Sequence, residues 1–346
     1  MSKRSITLKD LSNSLNLSIS TVSRALKDHP DISTETKDKV QRLAKELNYV
    51  PNSLAQNLRN SSTKTIGVVI PNLQLDFSSK VINGMIHQSR EEGYRLVISE
   101  SGHSYELEKD ILQNMIRSGV DGVLLSLTNF TKNIDHVLEA MDTCPIILYD
   151  KVSDKVPCTK IIVDDEIGAC KAVEHLIEQG RRKILYINGP DHSFNARKRL
   201  RGYEKALKLH DIQVLEERII KCKNVSIDEG KEIVDQALKN GLDFDAIFAV
   251  TDNAAIGAIK SLKNHSISIP QEVAIVGFSN SKNATIIEPN LTSIEQPGYD
   301  IGKYAVSYLT QSLRDNLKSD DYIQTTSKTV ELKTNLIIRE SSNLIS

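Results

Sequence analysis

Residues 17–26, Leu-Ser-Ile-Ser-Thr-Val-Ser-Arg-Ala-Leu, decide how this chain is read. Ser18 is placed to cap a helix running to about Lys27. Helical spacing turns Val22, Ala25 and Leu26 inward and leaves Ile19, Ser20, Ser23, Arg24 and Lys27 outward. Upstream, Thr7 with Asp10 three residues on opens a first helix whose Leu8, Leu11 and Leu15 share one face, and Asn16-Leu17 breaks it. Downstream, Ser33 opens a third helix carrying Val40, Leu43, Ala44 and Leu47 at helical spacing. Two short helices joined by a tight turn and braced by a third make a helix-turn-helix arrangement.

The charge distribution agrees with that arrangement. Residues 1–60 hold ten Lys and Arg against six Asp and Glu, a net of +4, while the remainder holds 34 against 39. A basic first sixth on a mildly acidic body points to a local anionic partner, nucleic acid first. The second helix of such a motif enters the major groove, and its outward N-terminal residues meet base edges. Arg24 can donate two hydrogen bonds to guanine, Ser20 can bond several bases, and Ile19 offers apolar contact to a thymine methyl. Thr7, Ser18, Thr21, Ser23 and Asn52 are expected on phosphates, which fix register without reading sequence.

Beyond a polar joint at residues 60–63, strand and helix patterns alternate. Apolar runs at 66–70, 96–98, 123–127, 146–149, 161–163, 184–187, 247–250 and 273–276 predict buried strands. Amphipathic segments at 81–92, 107–118, 168–179, 199–209, 226–239 and 254–263 predict the helices between them. Eight or more such strands, with helices between them, over about 280 residues imply two doubly wound parallel-sheet lobes. Ligands of such sheets sit beyond the carboxyl ends of the strands, which selects residues 72–77, 126–130, 149–150, 164–165, 188–195, 251–253 and 277–281. The last helix is expected over Tyr299–Leu313, and the last strand near Leu336–Ile338.

Residues 17–26, together with Asn48-Tyr-Val-Pro-Asn-Ser-Leu-Ala-Gln-Asn-Leu-Arg59, resemble the LacI/GalR family of bacterial transcription regulators. The resemblance extends through 66–71, 196–203, 245–252, 273–278 and 291–297 to about Arg339. It implies a helix-turn-helix domain over 1–50, a hinge helix and linker over 51–63, and a core over 64–346 similar to periplasmic sugar-binding proteins. The implied N-lobe covers about 64–163 and 294–322, and the C-lobe about 165–291 and 324–340, with crossings near Asp164, Thr292 and Ile323. The hinge positions that match are Ala55 and Leu58, with Leu58 as a minor-groove wedge. The effector contacts that match fall on Phe77, Arg199, Thr251 and Ser279. Many members carry Asn at the position of Thr251 and Asp at that of Ser279. Asp252 and Asn280 stand one residue further on to take part of the role, and a phosphorylated or acidic ligand becomes slightly easier to accommodate. The family prior is a sugar-like effector, a homodimer on a palindromic operator, and repression.

Other classes are disfavoured. Cys144, Cys158, Cys170 and Cys222 show neither C-x-x-C spacing nor a histidine partner, so no metal site and no disulfide framework are expected. No apolar run suits a signal peptide or a membrane span, so a cytoplasmic protein is expected. No nucleotide-binding, zinc-protease or nucleophile-elbow motif occurs, and neither catalysis nor a cofactor is expected. Few residues follow the last strand, so a dimer without a tetramerising helix is expected. The competing reading is a sugar-binding module whose first domain binds protein. Salt-dependent DNA binding separates the two, because counterion release belongs to the regulator only.

Overall fold

The computed structural model describes residues 6–49, 62–316 and 327–343. Asn52, Ala55, Leu58 and the expected crossing at Ile323 lie outside those residues. The chain divides into two units, Met1–Lys64 and Thr65–Ser346.

The first unit holds α1 (Leu8–Leu15), α2 (Ile19–Leu26) and α3 (Thr34–Glu46). Each begins at a hydroxyl cap: Thr7, Ser18 and Ser33 accept from the backbone N–H three residues on. Thr7 and Asp10 form a reciprocal capping box. The tight turn rests on Asn16, which takes the left-handed conformation at φ 52° and closes α1. Leu11, Val22, Ala25, Val40 and Ala44 form the core, with Leu8, Leu15, Leu17, Leu26 and Leu43 packed around it. Leu47, expected with the α3 stripe, is instead the exposed C-cap residue.

The second unit contains β1 (Thr65–Ile70), α4 (Asp76–Glu91), β2 (Arg95–Glu100), α5 (Tyr105–Arg117), β3 (Gly122–Leu125), α6 (Asp135–Met141), β4 (Ile146–Tyr149) and β5 (Lys160–Val163). There follow α7 (Asp165–Glu178), β6 (Ile184–Asn188), α8 (Phe194–Leu209), β7 (Ile219–Lys221), α9 (Ile227–Lys239), β8 (Ala246–Ala249), α10 (Asp252–Asn264) and β9 (Ala274–Ser279). The last elements are β10 (Thr292–Glu295), α11 (Gly298–Asn316), β11 (Thr329–Leu332) and β12 (Asn335–Ile337). Two six-stranded sheets result, ordered β2-β1-β3-β4-β5-β11 and β7-β6-β8-β9-β10-β12. Both are doubly wound in the same order. Every neighbour pair is parallel except β10 with β12. β1, β3, β4, β6 and β8 are buried almost throughout because helices cover both faces, which is why they read as continuous apolar runs. In the N-lobe α11 lies directly on α4: a Cβ on Gly84 would run into the Tyr299 carbonyl, and one on Gly302 into that of Val81.

The lobe boundaries differ from the expectation at two crossings. β10 pairs with β9 and β12, so Thr292–Glu295 belong to the C-lobe sheet and the chain passes to the N-lobe at Gln296-Pro297. β11 pairs with β5, so Thr329–Leu332 belong to the N-lobe, and the return passes through Lys333-Thr334. The reason is composition: β10 reads Thr-Ser-Ile-Glu and buries two hydroxyls, so no apolar run marks it. Asp164 ties the first crossing to the third, because its Oδ1 accepts from Thr334 N at 2.7 Å and Thr334 Oγ1 at 2.6 Å.

Candidate functional site

On the first unit, α2 presents its start to solvent. Ile19 is 48% exposed although it is a large apolar residue, and Ser20 and Arg24 are exposed beside it. Val22 and Ala25 on the opposite side are fully buried. An aliphatic side chain exposed at the start of a well-packed helix is available for apolar contact with a base. Ser18 Oγ lies 2.7 Å from Ser20 Oγ and 2.8 Å from Thr21 Oγ1, so the three hydroxyls form one cluster at the helix N-terminus. That end carries partial positive charge and suits a phosphate. Thr7 and Ser18 are exposed, while Thr21 and Ser23 are half-buried. Thr7 Oγ1 donates to Asp10 Oδ2 at 2.7 Å, so its role within the fold is the cap.

On the second unit, the carboxyl ends of both sheets face a common cleft. Asn195 bridges it: its Nδ2 donates to Asp150 Oδ1 after β4 at 3.3 Å and to Asp165 Oδ2 at the start of α7 at 3.0 Å. Lys80 of α4 donates to the Asn280 carbonyl at 3.2 Å across the same gap. The Phe130 and His192 rings meet at 5.8 Å. Phe194 of the C-lobe packs into the N-lobe core.

Phe77 stands half-buried at the first turn of α4, against the N-lobe core, and lines a small cavity with His103, Ser126, Tyr149 and Asp150. Arg199 is 5% exposed. Its Nε donates to Asp165 Oδ1 at 2.7 Å, its Nη1 donates to the Val250 carbonyl at 2.6 Å, and its guanidinium lies 3.6 Å over the Phe278 ring. Burial pushes the Asp165 carboxyl above its ordinary range, and the Arg199 charge opposes that shift. Thr251 caps α10. Asp252 is turned into the C-lobe, where it accepts from Ser281 N at 2.6 Å and Ser293 Oγ at 2.5 Å. Burial raises its pKa too, against those hydrogen bonds. Ser279 sits at φ 118° and donates to Gln296 Oε1 at 3.0 Å. Asn280 is held by Arg339 and Glu295.

Arg199 reaches the Val250 carbonyl beside Thr251, Ser279 bonds Gln296 at the second crossing, Phe77 lines a cavity of the N-lobe, and Asp252 is an internal brace of the C-lobe. Asp165 and Asn195 were reached in sequence only as members of strand-end segments. Their tie to Arg199 is a tertiary fact that spacing does not encode. Among the described residues no group of three His, Cys, Asp or Glu side chains is arranged to hold a metal. The four cysteines are buried, and burial pushes the Cys144 and Cys222 thiols up to about 12 and that of Cys170 to about 11.

Two family descriptions match the chain: bacterial regulatory proteins of the lacI family over residues 7–52, and the periplasmic binding protein-like domain over residues 173–342. An HTH-type transcriptional regulator of Lachnoclostridium phytofermentans is 30% identical over 340 residues, covering 96% of this chain and 98% of its own. The lac repressor dimer bound to operator and the anti-inducer ONPF superimposes with a TM-score of 0.84 at 26% identity, covering 98% of this chain and 99% of its own. The transcriptional regulator CelR in complex with cellobiose gives 0.73 at 25% identity, covering 97% and 99%.

Proposed function

This chain belongs to the lacI family of bacterial regulatory proteins, and from that premise we propose that it is a repressor binding one palindromic operator as a homodimer under control of a sugar or sugar derivative held between the lobes. The carrying observation is the start of α2, where Ile19, Ser20 and Arg24 stand in water above a fully packed helix face. Two such helices related by a two-fold axis read half-sites about one helical turn apart. Thr7, Ser18, Thr21, Ser23 and Asn52 set the register on phosphates, and Ala55 and Leu58 open the minor groove between the half-sites. The cleft reading is supported by the placement of Phe77, Thr251 and Ser279 at or just beyond strand ends, with Arg199 bonded to the Val250 carbonyl beside Thr251, and by relatives of this architecture seen with ONPF and with cellobiose. An effector that favours one lobe arrangement shifts DNA affinity by as much as it discriminates between the arrangements.

The test begins with selection of a preferred site from random DNA by the full chain. Arg24→Ala should then cost about 1–3 kcal/mol on that site and relax the preference at one base position. An equal loss on random DNA would remove the base-reading role.

A further inference from the structure

At the lip of the cleft lies a cavity of about 230 Å³ whose lining is strongly one-signed. It contains Lys132, Lys151 and Lys155 from the N-lobe and His192 and Arg197 from the C-lobe, and no carboxylate. Lys151 is held by Asp150 at 2.8 Å. Among the described residues Arg197 Nη1 donates only to the neutral carbonyls of His192 at 2.7 Å and Asp191 at 3.3 Å. Among the described residues no acidic side chain pairs with Lys132, Lys155 or Arg197; the nearby Asp191 pairs with Lys221 instead.

Two further observations bear on the same lip. Ser193 and Phe194 of the lining begin α8, a helix of 16 residues, and the Ser193 side chain makes no capping bond. Its first amides thus offer partial positive charge without a side-chain acceptor. His192 Nε2 is buried with no hydrogen-bond partner. The His192 pKa lies below its ordinary value, through burial first and then the charge of Lys132, with Arg197 adding and Asp191 opposing.

We propose that the effector is a phosphorylated small molecule whose phosphate seats at this lip, between Lys132, Lys155, Arg197 and the first amides of α8. This rests on the cleft being the effector site. A phosphate ester suits the seat better than a carboxylate because a dianion with three acceptor oxygens answers several cations and amides at once. The seat also couples binding to shape. Lysines of one lobe face Arg197 of the other, so closing the lip brings like charges together, and a bound dianion turns that repulsion into attraction to both sides.

The full chain is titrated at constant ionic strength with matched pairs, each a hexose, pentose or nucleoside and its phosphate ester, and with inorganic phosphate alone. Calorimetry and thermal melting serve as readouts. One ester should bind about 10- to 100-fold more tightly than its neutral partner. Lys132→Gln/Arg197→Gln, two exposed positions, should abolish that preference while leaving the melting temperature of the unliganded protein unchanged. Neutral members binding as tightly as their esters, or a preference that survives in the double variant, would overturn the seat and leave the cleft reading standing. Inorganic phosphate reproducing the whole effect of the ester would overturn the ester assignment in favour of free phosphate. Absence of binding by every ester would also overturn the seat. The neutral members, tested against Phe77→Ala, then decide the cleft reading separately.

Discussion

The two lobes of the core share one strand order and present opposite chemistry to the cleft between them. At the C-lobe positions matched from the sequence the polar groups are committed to their own lobe: Arg199 to Asp165 and the Val250 carbonyl, Asp252 to Ser281 and Ser293, and Thr251 to the start of α10. On the N-lobe side several are uncommitted. His103 Nδ1 and Ser126 Oγ are buried without partners, and Lys132 and Lys155 have no carboxylate among the described residues. A position-by-position match locates residues near a ligand without saying whether they are free to hold it. In this molecule the matched C-lobe positions shape the cleft, and the open groups lie on the N-lobe wall and at the start of α8.

The largest expected effect tests the commitment of Arg199. It is 5% exposed and Asp165 is 2% exposed, so Arg199→Met leaves a carboxylate buried without its cation. Breaking a buried pair from one side costs about 3–5 kcal/mol, and urea unfolding of the core measures it. Asp165→Asn added to that variant should recover a good part of the loss, since the uncompensated charge is gone. A single variant as stable as the parent would place Arg199 among the free groups and break the contrast between the walls.

The N-lobe wall is tested by pH. His103 lines the cavity beside Phe77 and Asp150, and its pKa is lowered to about 4, by burial first and by the charge of Lys151, with Asp150 opposing. A histidine whose folded pKa lies below the unfolded value takes up its proton more readily when the chain unfolds. The stability it contributes is therefore complete above about pH 6.5 and is lost as the pH falls toward 4. Between pH 7.5 and 5 the parent should lose about 1–2 kcal/mol more than His103→Asn, after allowance for solvent screening. Asn is chosen because His103 sits at φ 58°, where it is tolerated. Equal losses would show that the His103 ring is solvated.

Much of this was legible in the residues, for local reasons. Hydroxyls three residues ahead of a backbone amide fixed the starts of α1, α2 and α3, and Asn16 marked the turn, because caps and left-handed residues are decided by near neighbours. Fully buried strands such as β4 announced themselves by apolar composition. What failed was non-local or polar. β10 buries Thr292 and Ser293, so its place in the C-lobe sheet depends on hydrogen bonds to β9 and β12. β11 alternates exposed and half-buried residues, and only its pairing with β5 assigns it to the N-lobe. The bond from Asp165 to Arg199 spans 34 residues, and that from Asp150 to Asn195 spans 45. Neither separation follows any helix or strand period. Candidate effector positions could thus be named from the chain, but their occupation by internal partners could not.

The smallest expected effect asks whether Thr251 is wall or contact. Its Oγ1 accepts from Ala254 N at 3.3 Å and caps α10, whose first residue, Asp252, braces the 281 and 293 segments. Thr251→Ala should cost about 1 kcal/mol of stability, the usual value of a lost N-cap, and Thr251→Ser should restore most of it. Affinity for whichever ligand the matched panel identifies should change little in either variant, because Thr251 Oγ1 is turned toward the Ala254 amide of its own helix. Stability unchanged with affinity reduced about tenfold would reverse the assignment. Thr251 would then join the open groups, and the division between a structural C-lobe wall and a receptive N-lobe wall would fail at the one residue nearest both roles.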